Sequence, residues 1–271
     1  ELNDFSKGSI ARNILSLALP MTLAQLINVM YSIVDRIYIG HIPDASTYPL
    51  TGIGLCLPII TIITAFANLF GMGGAPLCSI ARGGHEEDRA QKVMGNSFSM
   101  LLISGAVLMI LCLIFKEPLL FIFGASEATY PYADQYITIY LCGTLFVMTS
   151  LGMNNFINAQ GFGKTGMLTV LLGAVLNIIL DPILIFGFGM GVQGAAVATV
   201  ISQGASAVWV LKFLCGRKAL LKLTRKSMLL QAGLVKEITL LGTSGFVMSV
   251  TNGTVQIVCN AVLARHGGDL Y

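Results

Sequence analysis

Asp35 and Asp181 are the only acidic side chains inside the long apolar stretches of this sequence. A charged group at membrane depth costs ~3 kcal/mol on insertion scales, so it is rare unless it serves a function. The chemistry open to such a pair is the loading and release of a cation. A carboxyl drawn out of water is penalised in its charged form, and it can then take up and give back a proton. Asn177 precedes Asp181 by four residues and shares its helical face, while Asn28, Tyr31 and Asp35 recur at spacings of three and four. Two such faces can line one cavity. We expect Asp35 to be the main proton carrier, with Asp181 and Asn177 hydrogen-bonding it. Pro182 lacks an amide hydrogen and frees the carbonyl of Ile178, and Pro20 does the same for Ser16, so both are expected hinges. Quieter roles remain open: Asp35 as a charge beside Arg36 at a helix end, and Asp181 as an interhelical hydrogen-bonding group.

The elements that carry these residues follow from composition. Of 271 residues, 55% are hydrophobic and only 11% charged, and the mean hydropathy is +0.80. That profile excludes an ordinary soluble domain and defines a polytopic membrane protein. Stretches long enough to cross a ~30 Å hydrocarbon core lie near 13–39, 52–81, 94–115, 136–158, 167–188, 193–214 and 239–263. They are too long and continuous for barrel strands, so the backbone must satisfy itself as helices and the fold is all-α. The first stretch carries Pro20, Asn28 and Asp35 and lacks a cleavage pattern, so it reads as a retained helix. The cysteines show no CxxC and no paired histidine, which argues for packing rather than metal or disulfide chemistry.

Basic residues accumulate on cytoplasmic loops. Lys7, Arg12, Arg82, Arg89, Lys92, Lys164, Lys212, Arg217, Lys218, Lys222, Arg225, Lys226 and Lys236 fall on one side, against Arg36, Lys116 and Arg265 on the other. The N-terminus is therefore expected in the cytoplasm of a cell whose inner, plasma membrane holds the chain. The cluster at 212–236 fits topology and lipid-phosphate contact; no aromatic reading surface accompanies it, so no nucleic-acid partner is expected. The polar stretch at 215–231 reads as a cytoplasmic hinge between two units. Shifting the chain by 224 residues places Asn28 on Asn252 and Ile33 on Ile257, the trace of an internal repeat. The expected organisation is a six-helix lobe at 1–214, a linker at 215–231, and the first helix of a second lobe at 232–271. By the repeat logic of transporters the sequence is then expected to be a piece of a protein with roughly 12 spans.

Three segments resemble the multidrug and toxic compound extrusion (MATE) family of bacterial type: LALPMTLAQLINVMYSIVDRIYIGHI at 17–42, NNFINAQGFGK at 154–164, and LNIILDPILIFGFGMGVQGAAVATVIS at 176–202. The resemblance covers the whole chain, and its most specific element is Asn177-x-x-x-Asp181-Pro182 followed by Gly191-x-x-Gly194-Ala195-Ala196. It implies two six-helix lobes facing each other, exporting organic cations and other drugs in exchange for protons or sodium ions. It further implies that Tyr31, Tyr136, Asn154 and Thr199 complete the network around the carboxylates and that Met21 lines the drug cavity with Asn28.

The driving ion remains open. Sodium-coupled members carry a carboxylate on the seventh span, where this chain has Asn252; that favours protons, although sodium could bind at Asp35 and Asp181. No cofactor beyond the ion gradient and no obligate protein partner is expected. A rival within transport is a flippase for a lipid-linked oligosaccharide, which would need cations in the cavity to hold pyrophosphate. A membrane-embedded enzyme on lipid substrates would need clustered acidic, nucleophilic or metal-binding residues, and none is visible, so no catalysis is expected. Gly163-Lys164-Thr165 echoes a P-loop but has Asn158 where glycine is required, and it reads as a turn. Gly71, Gly73 and Gly74 read as small residues for close helix packing.

Overall fold

The computed structural model describes residues 9–42 and 48–267; Lys7 and the outer limits of the first and last segments lie outside the described residues. Each apolar stretch forms a helix, because a backbone without water must bond within its own segment. The order is α1 (Ile10–Gly40), α2 (Tyr48–Gly83), α3 (Glu87–Ile122), α4 (Tyr130–Cys142), α5 (Thr144–Ala159), α6 (Gly163–Pro182), α7 (Val192–Leu214) and α8 (Ala232–Gly267), with no strand among the described residues. Among the described residues six helices are individually long and apolar enough to span a membrane, and α4 with α5, bent by 58°, makes a seventh when the pair is taken as one span. The chain is an all-α polytopic membrane protein.

The fourth span departs from the single helix expected at 136–158. It begins at Tyr130 and breaks at Gly143, where α7 passes so closely that a Cβ on Gly143 would stand 2.6 Å from a methyl of Val200. The bend lets both α4 and α5 pack along α7. Gly163-Lys164-Thr165, expected as a turn, instead opens α6. The turn lies just before it, at Gly161 with φ +91°, a conformation open to glycine without a Cβ clash.

α2 is the central post, packing against α3, α4, α5 and α8, while α1 rests chiefly on α6. The glycine run of α2 serves close approach as expected. Gly71 abuts Gly152 of α5, Gly74 abuts Phe156, and Gly73 meets the backbone of Ile238 and Gly242 in α8. Along the same seam Phe66 and Phe246 meet edge to face with ring centres 5.2 Å apart, and Asn68 Nδ2 donates to Ser249 Oγ at 3.0 Å. The outside of the bundle suits lipid: Ile103, Val107, Ile110 and Ile114 form an exposed stripe on α3. Cys56, Cys78 and Cys112 are buried as packing residues, whereas Cys142 and Cys215 are free thiols at the surface.

The connection from α7 to α8 does not have the look of a free hinge. Asn96 of α3, fully buried, donates to the carbonyls of Ser227 and Leu229 at 3.3 and 3.1 Å and accepts from the amide of Gln231 at 2.7 Å. Ser99 Oγ donates to the carbonyl of Met228 at 2.7 Å. Gln160, also fully buried, accepts from the amide of Leu221 at 3.0 Å. These bonds strap the segment across the ends of α3 and α5, and the last of them stops at Gln231. At the same end Arg89 bridges α3 to Glu237 of α8 at 3.0 Å.

Candidate functional site

α1 and α6 run side by side, so that residues of both face a common space. Between them and α2, α5 and α7 lies a cavity of about 330 Å³. Met21, Asn28 and Tyr31 line it from α1, Asn154 from α5, Asn177 from α6 and Thr199 from α7. Six of the residues named from the sequence are thus gathered on one cavity. Among the described residues no lining side chain is charged: the polar ones are amides, hydroxyls and one phenol.

Asp35 and Asp181 stand one helical turn beyond Tyr31 and Asn177, at the same end of the cavity, and their carboxyls lie within electrostatic range of each other. Asp181 is fully buried. Asn177 Nδ2 donates to Asp181 Oδ1 at 3.4 Å and to Thr199 Oγ1 at 3.4 Å. Thr199 spends its own hydrogen on the carbonyl of Ala195 at 3.0 Å, and so it can only accept from Asn177. Asp35 Oδ1, Asp181 Oδ2 and Asn177 Oδ1 are buried without a hydrogen-bond partner. Acceptors therefore outnumber donors at this end, an arrangement that a proton or a small cation would complete.

Tyr136 is placed differently. It is buried against Tyr140, with ring centres 6.1 Å apart, and is absent from the cavity wall, although it lies within electrostatic range of Asp35 and Tyr31. The two prolines also diverge. Pro20 is buried within α1, which continues through it. Pro182 ends α6 and leads directly into a π-helical turn, Ile183–Gly187, beside Asp181. Asn154 Nδ2 donates to the carbonyl of Gly166 at 3.3 Å, tying α5 to α6.

Sequence reasoning missed several wall residues, among them Asn68, Asn158, Ser150 and Gln203. Ser150 Oγ donates to Gln203 Oε1 at 2.6 Å. The signal was present: Thr199, Ser202, Gln203 and Ser206 recur at spacings of three and four, a polar stripe on an otherwise apolar helix.

The class these features define is a helical membrane bundle with a polar cavity between its helices and two carboxyls one turn beyond it. The MatE family model matches residues 20–183, and the chain belongs to that family. It is 30% identical to a multidrug export protein, MepA, of Staphylococcus haemolyticus over 97% of this chain and 58% of the relative. It is 29% identical to the MepA of Staphylococcus aureus over 98% of this chain and 59% of that protein. Among solved structures, one of a MATE transporter in complex with MaD3S superimposes with a TM-score of 0.88 at 25% identity, covering 97% of this chain and 59% of that one. An outward-facing MATE multidrug resistance transporter of the MOP superfamily gives 0.87, at 25% identity over 97% of this chain and 58% of its own. The chain thus spans somewhat over half the length of the relatives it matches.

Proposed function

We propose that the transporter containing this lobe is a secondary active multidrug exporter of a bacterial plasma membrane, oriented with the N-terminus in the cytoplasm. It exchanges an entering cation for an organic cation by alternating access of two lobes. The single observation that carries the reading is the Asp35 and Asp181 pair at the end of an uncharged polar cavity. The pair holds the coupling ion; the cavity, walled by Met21, Asn28, Tyr31, Asn154 and Thr199, holds the drug. When the ion is bound, its charge satisfies the free carboxyl oxygens; when it leaves, the same carboxylates attract a cationic substrate. Pro20 and Pro182 are the points at which α1 and α6 flex between the two states, Pro182 through its π-helical turn.

Asp35 is the principal carrier, and the coupling ion is the proton, since the seventh span carries Asn252 where sodium-coupled members of the family have a carboxylate. A lipid-linked oligosaccharide would require cations to meet its pyrophosphate, and the cavity wall supplies none. Ethidium efflux from cells expressing the full-length protein, wild type against Asp35→Asn, with proton and sodium gradients collapsed separately, tests the reading. Loss of efflux in the variant and on proton collapse is expected. Full efflux by the variant would sink it.

A further inference from the structure

The strap between α7 and α8 alternates in and out along its first part. Ala219, Leu221 and Leu223 turn toward the lobe, whereas Leu220 and Lys222 face away. Five cations on it, Arg217, Lys218, Lys222, Arg225 and Lys226, are exposed, and none of them makes an ion pair to another described residue. There is no acidic residue from 215 to 236 to offset them. Among these cations stand exposed apolar side chains, with Leu220 42%, Leu229 69% and Leu230 49% accessible.

The strap is also ordered where its function would need it. Its buried side is pinned by Asn96, Ser99 and Gln160, so the outer side is presented in one arrangement rather than as a loose tail. Because it joins the end of one spanning helix to the start of the next, it lies at the level where the bundle leaves the bilayer. Cations beside exposed leucines at that level match the headgroup region, where the leucines reach the acyl boundary and the cations meet phosphate.

We propose that the strap is a binding surface for anionic phospholipid, which docks it, and through it the foot of α8, onto the membrane face. Charge complementarity and the exposed apolar side chains beside the cations favour lipid, which has both a phosphate and an acyl boundary, over a soluble acidic partner. The full-length protein in nanodiscs of phosphatidylcholine with increasing phosphatidylglycerol would be compared with a variant carrying Arg217→Gln, Lys218→Gln, Lys222→Gln, Arg225→Gln and Lys226→Gln. Lipid retained on release would be counted by mass spectrometry, and ethidium efflux would verify that the variant is folded and inserted. The expected result is at least about tenfold weaker apparent affinity for phosphatidylglycerol in the variant, with phosphatidylcholine retention unchanged. Equal phosphatidylglycerol retention in the two proteins overturns the proposal, whatever soluble acidic protein the wild-type strap captures.

Discussion

Asn177 Nδ2 lies 3.4 Å from both Asp181 Oδ1 and Thr199 Oγ1, so one amide joins the carboxyl end of the cavity to α7. Both partners can only accept from it while Asp181 is ionised, which fixes the orientation of the amide and leaves its oxygen free. A change in the charge of Asp181 is therefore felt directly at the cavity wall.

Asn177→Ala removes that link while keeping the helix. Export is expected to fall about tenfold, in line with the ~1–3 kcal/mol cost of leaving a buried acceptor without its donor. Efflux assays on the full-length variant, at matched membrane abundance, check it. Unchanged efflux would show that Asp181 works without this amide.

The α2–α8 seam tolerates no side chain at its closest point. A Cβ on Gly242 would press into the backbone carbonyl of Leu69, which cannot rotate away as a side chain would. Gly242→Val is expected to part the two helices and to cost roughly 1–3 kcal/mol. Thermal unfolding in detergent should show a lower Tm, and an unaltered Tm would mean that the seam is looser than the backbone contact implies.

Asn96→Ala leaves the amide of Gln231 and the carbonyls of Ser227 and Leu229 without their partner. The expected outcome is a release of the strap at a cost of about 2 kcal/mol, seen as faster amide exchange at 227–231 than in the wild type. Protection that stays the same would assign the hold to Ser99 and Gln160.

At the bend of the fourth span, Gly143→Ala brings a methyl against Val200. A loss of about 1–3 kcal/mol is expected, and Val200→Ala in the same protein should recover part of it, because the obstacle is a side chain that can be trimmed. A double-mutant cycle on thermal stability measures the coupling. Strict additivity would place the strain elsewhere.

The spans and the face-sharing of Asn28, Tyr31 and Asp35, and of Asn177 and Asp181, were legible because both depend on local rules. Hydropathy over twenty residues decides what enters a bilayer, and helical spacing decides which residues share a side. The break at Gly143 was not legible, since it comes from Val200 on another helix. Nor was the strap: a polar stretch reads as a hinge until Asn96 and Gln160, distant in sequence, are seen to hold it.

By itself the sequence determined that the chain is a helical membrane protein, where its spans run, and that two carboxylates lie toward one end of α1 and α6. Each of these follows from transfer energies and helix geometry that act within one segment. Only the tertiary structure decided that the two carboxyls come within electrostatic range, that Asn177 bridges Asp181 to Thr199, that Tyr136 stands behind the wall rather than in it, and that α8 is pressed against α2. Those outcomes depend on how closely helices can approach, which is set by small residues and buried amides on partners far apart in the chain.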